Sequence, residues 1–273
     1  VGRVGAFMFM LKLVPFIESA ARCASKATAS LAWQSLDRPS GASLTIGVFR
    51  GQSRVRKSWT PANDENATAL WNRLHILQGV LHAIQGDEDR YFAVVCDVGS
   101  TSGIVYALFH RLQLPSLDSE SVLVAIQHVI EAVTELHARG IIHRDIRWPN
   151  VMYSRTSNRF VLIDFDEYAI LDLDGLAPGV ARLEPTTHAP NIEARHGLEV
   201  DLWSIGHLIQ EQRANDNGRL RELGENMKVQ YQALSIADVQ KQFKAVVAKL
   251  VADQRRRSPR NPGRKARTRR GRR

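Results

Sequence analysis

Apolar positions in this chain fall first in short β-like runs and later at helical intervals. Ser43–Phe49 and Ser53–Trp59 are rich in β-branched and aromatic residues and flank Arg50-Gly51-Gln52, which predicts two strands around a turn. From Glu65 to Leu77, Leu70, Trp71, Leu74 and Leu77 recur at the spacing of one helix face. Tyr91–Val98 predicts a further strand. A polar loop with Pro115 then leads into a strong helical pattern. Asp118 is its N-cap, Val122, Leu123, Ile126, Val129, Ile130, Val133 and Leu136 are its apolar stripe, and Gly140 is its stop. Short β segments follow at Ile141–His143, Val151–Tyr153 and Phe160–Phe165. A helix is predicted around Glu199–Gln212, and a last amphipathic one over Ile236–Val251, with Ile236, Val239, Phe243, Val246, Val247 and Leu250 on one face.

A β-rich first part and a helix-rich second part, with no internal repeat, predict an α+β fold in two lobes. The boundaries drawn from the pattern are an N-terminal extension or strand over 1–40, a β-rich lobe over 41–100, a helical lobe over 101–252 and a tail over 253–273. The chain has 273 residues, 44% of them apolar, which is ample for a packed core. No stretch of about 18 apolar residues occurs, so no membrane span is expected. The run Val4–Leu11, between Arg3 and Lys12, reads as a buried strand rather than a signal peptide. Beginning on Val1, the sequence leaves open that it is a piece of a longer chain. Cys23 and Cys96 have no metal-ligand spacing and are expected to be free thiols in a reducing compartment. The localisation expected from this is intracellular, cytoplasmic or nuclear.

Charge changes the picture at one end. Of the formal net charge of +9, eleven positive charges (ten Arg and Lys265) lie in Arg255–Arg273 with no acid, leaving residues 1–254 at −2. Rich in Arg, Pro and Gly, this segment cannot bury a core and reads as a disordered tail. It would bind polyanions by counterion release or serve as a nuclear-import signal. No aromatic residue interleaves the arginines, which argues against base stacking.

The chemistry lies in His143-Arg144-Asp145-Ile146-Arg147-Trp148-Pro149-Asn150, which fits the pattern H-R-D-x-x-x-x-N. A loop of this length can place the Asp145 carboxylate by an attacking hydroxyl and the Asn150 amide oxygen by a metal. Fourteen residues after Asn150 come Asp164-Phe165-Asp166 at the end of an apolar strand, where a kinase carries its magnesium-binding D-F-G. His188-Ala189-Pro190-Asn191 resembles the A-P-E element. Asp201-Leu202-Trp203-Ser204-Ile205-Gly206 resembles D-x-W-S-x-G, whose aspartate braces the catalytic loop. Four such elements in order are a specific signal.

Residues from about 53 to 250 resemble the eukaryotic protein kinase fold. The catalytic half is similar to fungal FunK1-type kinase-like proteins and to the kinase domains of Crinkler effectors, which also carry D-F-D. The resemblance implies transfer of the ATP γ-phosphate to a Ser/Thr hydroxyl of a protein substrate. Asp145 would be the base, Asn150 and Asp164 would hold Mg2+, and Arg147 would reach the transferring phosphate. Arg144 would receive an activation-loop phosphate, His143 would be a packed scaffold residue, and Asp201 would be the brace. Lys57 would grip the phosphates, with Glu65 on the next helix as its partner. Lys57 lies 88 residues before Asp145, and Lys12 is its rival for the role.

The departures lie mainly in the first lobe. No G-x-G-x-x-G precedes Lys57, since Gly41, Gly47 and Gly51 are scattered. Asp166 replaces a glycine and would be a further metal contact or a solvated acid. Asn191 replaces the A-P-E glutamate, with Glu193 a candidate substitute. Two alternatives follow: a small-molecule phosphotransferase, which "LIDFD" also fits, and a pseudokinase or binding scaffold.

Overall fold

The computed structural model describes residues 33–36 and 42–257, except 117, 182, 184–185 and 213–217. Five strands form its first layer: β1 (Trp33–Leu36), β2 (Ala42–Phe49), β3 (Gln52–Trp59), β4 (Val95–Thr101) and β5 (Ile104–His110). They pair antiparallel in the order β1-β2-β3-β5-β4. The β2–β3 hairpin turns on Arg50 and Gly51, both at positive φ (49° and 75°). Such a two-residue turn matches the twist of its strands, and glycine takes the second position without strain. Helix α1 (Asp64–Gln85) packs on this sheet. Asn63 caps it by accepting from the Asn66 N–H at 2.8 Å, and Leu74, Leu77, Val80 and Leu81 are buried.

The second part is helical: α2 (Ser119–His137), α3 (Glu199–Glu211), α4 (Gly218–Gln230) and α5 (Ile236–Arg257). Between α2 and α3 run two small ribbons, β6 (Ile141–Ile142) with β9 (Ala169–Ile170), and β7 (Val151–Ser154) with β8 (Arg159–Leu162). Asp118 caps α2 by accepting from the Glu120 and Ser121 N–H groups, and Ser121 Oγ accepts in return from the Asp118 N–H. The apolar stripe of α2 is fully buried at Ile126, Val133 and Leu136, and each such side chain contributes roughly 1.5–3 kcal/mol by its burial. Gly206 and Gly224 let α3 and α4 approach closely. A Cβ on either would stand 2.9 Å or 2.6 Å from the other's carbonyl oxygen. One continuous apolar core joins α1 and the sheet to α2–α5.

Several expectations shift. The helix predicted to end at Leu77 runs to Gln85, and the strand predicted at Tyr91–Val98 begins at Val95 and reaches Thr101. The pattern predicts a polar loop where β5 lies. This strand lies between β3 and β4, and the unbroken apolar run from Ile104 to Phe109 lacks the alternation that marks a half-buried strand. The first lobe's sheet therefore includes Trp33–Leu36 and Ile104–His110, wider at both ends than 41–100. α4 was not predicted, because only Leu220, Leu223, Gly224 and Met227 are buried in an otherwise polar segment. α5 continues past residue 252 to Arg257. The run Val4–Leu11, Lys12, Cys23, Gly41 and the tail beyond 257 lie outside the described residues. Cys96 is a half-buried free thiol. No helix among the described residues is long and apolar enough to cross a membrane.

The junction of the lobes is held by Asp89, which is 2% exposed. Its carboxylate accepts from the Val94 N–H at 2.8 Å, His110 Nδ1 at 2.9 Å and Ser154 Oγ at 3.2 Å, and Ser157 Oγ donates to its carbonyl. The hydrogen bond to Asp89, then one with Cys96, outweigh burial and raise the His110 imidazole to about 9. A folded-state value above the unfolded one makes this pair stabilising below about pH 6.5. The contribution is then lost as pH rises through about 9. Thermal unfolding of wild type and His110→Gln against pH should show the wild-type advantage at pH 6 shrinking and vanishing above pH 9. A gap independent of pH would contradict the pairing.

Candidate active site

Gly140, at φ 68°, ends the turn after α2 and sends the chain into β6 and then the loop from His143 to Asn150. Asp201, in the first turn of α3, is completely buried beneath this loop. It accepts from the backbone N–H groups of His143 (2.9 Å) and Arg144 (2.8 Å) and from His137 Nε2 (3.1 Å). Burial alone would raise its carboxyl. The His137 hydrogen bond and charge and the His143 N–H outweigh that and hold it below the usual carboxylate range. With the two N–H groups tied down, Arg144 is kept at φ 72°, a left-handed conformation that costs a non-glycine residue.

Asp145 is 8% exposed. Its Oδ2 accepts from Asn150 Nδ2 at 2.8 Å, and its Oδ1 faces Arg147 Nε at 2.9 Å and His188 Nε2 at 3.3 Å. Burial pushes this carboxyl up, but His188, Arg147, His143 and Asn150 together pull it below the ordinary range. Asn150 spends its Nδ2 on the Asp145 carbonyl and carboxylate, so the amide is oriented with Oδ1 as the atom available to a cation.

β8 delivers the second carboxylate. Ile163 N–H donates to the Asn150 carbonyl at 2.9 Å, which joins the two loops, and Asp164 follows at φ 67°. Phe165 is buried between Phe92, edge-on at 5.4 Å, and the His143 ring at 4.6 Å. His143 is fully buried; its Nδ1 accepts from the Asp145 N–H and its Nε2 donates to the Ile163 carbonyl. Lys57, in the middle of the sheet and 8% exposed, places Nζ 2.6 Å from Asp164 and 2.7 Å from Asp166. Burial raises the Asp166 carboxyl; Lys57 opposes this and Asp164 reinforces it.

Three expectations need correction. Glu65 is exposed in the first turn of α1 and makes no ion pair with Lys57, whose partners are the two aspartates. The α1 residue that faces the site is a cation, Arg73. It donates to the carbonyls of Asp166 (2.8 Å) and Tyr168 (2.7 Å) and lies over the Tyr168 ring, whose hydroxyl donates back to the Arg73 carbonyl. Arg144, expected to await a phosphate, already spends its donors on His196 Nε2, the Glu167 carbonyl and the Pro178 carbonyl. Glu193 is exposed. In its stead Asn191 bridges neutrally, accepting from Tyr231 and donating to Glu199.

Sequence reasoning missed Arg73 and His188. Arg73 sits 93 residues from Asp166, and His188 sits 43 from Asp145. The one signal present was the position of His188 directly before Ala189-Pro190.

These residues together can hold a cation beside a buried, ionised carboxylate. The Protein kinase domain family matches residues 79–254. Crinkler effector protein 8 of Phytophthora infestans is 32% identical over 36% of this chain and 17% of its own length. A CBL-interacting serine/threonine-protein kinase 12 of Arabidopsis thaliana is 34% identical over 37% of the chain and 22% of its own length. The calcium/calmodulin-dependent protein kinase cmkA of Emericella nidulans is 33% identical over 52% of the chain and 36% of its own length. The chain thus spans from about a sixth to little more than a third of the length of these relatives. With a family match over more than half of its residues, the chain belongs to the protein kinase domain family.

Proposed function

We propose that this chain transfers the γ-phosphate of ATP to a serine or threonine hydroxyl of a protein. The observation that carries this is the placing of two contact pairs side by side: Asp145 with Asn150, and Lys57 with Asp164, their loops tied by the Ile163 N–H donating to the Asn150 carbonyl. Asp145 orients the hydroxyl and takes its proton, and Arg147, on the same loop, reaches the phosphate. Lys57, held between two carboxylates, is the ammonium that meets the nucleotide phosphates. Two carboxylates that already hold an ammonium, with the oriented Asn150 oxygen nearby, suit magnesium. Bound by Asn150 and Asp164, it would neutralise charge on the phosphates. Among the described residues no cluster of three or more His, Cys, Asp or Glu is arranged to hold a metal, and with only two protein ligands phosphate oxygens and water would fill the rest of the shell. The choice of serine or threonine draws on the name of the Arabidopsis relative. The eleven positive charges of Arg255–Arg273 add salt-sensitive affinity for polyanions and a basic cluster suited to nuclear import.

The test is transfer of labelled γ-phosphate from ATP to the chain itself and to a generic protein substrate. Asp164→Ala should abolish the Mg2+-dependent part of nucleotide binding, read as thermal shift or calorimetry with and without the metal. Binding of Mg-ATP as tight as in the parent would make Asp164 structural and favour a pseudokinase.

A further inference from the structure

The acids of α1, Asp64 and Glu65, both stand in its first turn and both are exposed. The Lys57 ammonium is held instead from the loop after β8. Nζ lies 2.6 Å from Asp164 Oδ1, 2.7 Å from Asp166 Oδ2 and 5.3 Å from the centre of the Trp59 ring. The two carboxylates are anchored to different parts of the fold. Asp164 follows Ile163, whose N–H donates to the Asn150 carbonyl, so its backbone is tied to the catalytic loop. Asp166 is tied to α1. Arg73 Nη2 donates to the Asp166 carbonyl at 2.8 Å and to the Tyr168 carbonyl at 2.7 Å. The guanidinium lies 4.7 Å from the centre of the buried Tyr168 ring, and the Tyr168 hydroxyl donates back to the Arg73 carbonyl at 2.9 Å. A glycine at 166 could keep the bond from Arg73, which goes to the backbone. The aspartate adds a carboxylate that meets Lys57 from the loop side.

We infer that Asp166 is the positioning residue for Lys57, in the place of a helix acid, and that Arg73 fixes the segment that carries it. The inference rests on the phosphotransfer reading above. An ammonium offers several N–H donors on a flexible four-carbon stem, so its place is set by the acceptors around it. With Asp164 given over to a cation, Lys57 would lose one of its two carboxylates. Asp166 keeps the ammonium over the site, and its other donors turn to phosphate oxygens. The two aspartates thus divide the work: Asp164 faces the cation and Asp166 faces the lysine. Loss of Asp166 should therefore disturb the reaction without changing the demand for Mg2+. Arg73 couples α1 to the same loop through carbonyl oxygens, so the helix sets where the Asp166 backbone stands although it supplies no acid of its own.

One arm of the test needs neither nucleotide nor metal. Thermal midpoints are measured in EDTA for wild type, Lys57→Met, Asp166→Asn and the double variant. With lysine present, Asp166→Asn removes an ion pair as well as the repulsion from Asp164; with methionine at 57 it removes only the repulsion. The midpoint shift caused by Asp166→Asn should therefore lie about 3 °C or more higher in the Lys57→Met background. Equal shifts in the two backgrounds overturn the pairing. If Lys57→Met does not fold, Lys57→Gln takes its place in the cycle. The other arm is turnover with saturating peptide. Asp166→Asn should lower kcat about tenfold, with the Mg2+ concentration for half-maximal rate within about twofold of wild type. A rise of about tenfold in that concentration would make Asp166 a metal contact and overturn the assignment. Asp166→Gly, which restores the residue of D-F-G, should be no more active than Asp166→Asn; wild-type kcat in either variant also overturns it. Arg73→Met keeps an apolar stem without donors and should lower kcat by a similar factor, and Arg73→Lys should recover part of the loss. Wild-type kcat in Arg73→Met overturns the part given to Arg73. If the wild type transfers no phosphate, the phosphotransfer reading fails and, with it, the role in transfer; the midpoints in EDTA still decide whether Asp166 and Lys57 are coupled.

Discussion

Asp145→Asn should lower phosphoryl transfer by about 10²–10⁴ while leaving the fold in place. The amide has the shape of the carboxylate but cannot accept the hydroxyl proton. Its oxygen can keep the contacts of Oδ1 with Arg147 and His188, and its nitrogen then meets Asn150 Nδ2 as donor to donor. That lost bond costs on the order of 1 kcal/mol, small against the catalytic loss, and Asn150 keeps its bond to the carbonyl of residue 145. The measurement is kcat of purified protein beside its thermal midpoint. Turnover at the wild-type level in a correctly folded variant would remove Asp145 from the role of base.

Asp201→Ala acts on stability instead. The carboxylate is completely buried and is the acceptor for two backbone N–H groups and one imidazole. Alanine strands both N–H groups away from water, at roughly 1–3 kcal/mol each. That is about 2–6 kcal/mol for the two, and the loss of the buried pairing with His137, about 3–5 kcal/mol by itself, overlaps with it rather than adding in full. For a domain of this size each kcal/mol lowers the midpoint by about 2–4 °C, so a fall on the order of 10 °C is expected. Activity should fall further than stability explains, because Arg144 and Asp145 lose the tie that sets their backbone. Asp201→Asn keeps one acceptor oxygen and should lie between the two. A thermal midpoint unchanged in the alanine variant would show that the loop holds its shape without the brace.

The placement of Asp145, Asn150 and Asp164 was legible in the sequence because each lies in a short segment whose geometry depends on spacing along the chain. Eight consecutive residues carry Asp145 and Asn150, and Asp164 follows one strand pair later. The α2 helix was legible for the same reason: its stripe repeats at 3.6 residues, and its cap lies three residues from its partner. β5 was hidden because its unbroken apolar run carries no alternation, and α4 because its buried stripe is narrow and includes a glycine that only its contact with α3 explains.

Which groups meet across the fold was decided by tertiary structure alone. Glu65 was chosen as the partner of Lys57 for being an acid near the start of the next helix. Helix packing instead turned Arg73 toward the site and left Lys57 to aspartates 107 and more residues away. Arg144 could be recognised from its motif, but not the carbonyls that occupy it. His188 had no motif of its own, and it reaches Asp145 because the segment before α3 folds back over the catalytic loop. Local spacing dictates what a loop or helix can present. The partner it meets depends on how whole elements pack, and that packing follows from burial of the shared apolar core, which has no period along the chain.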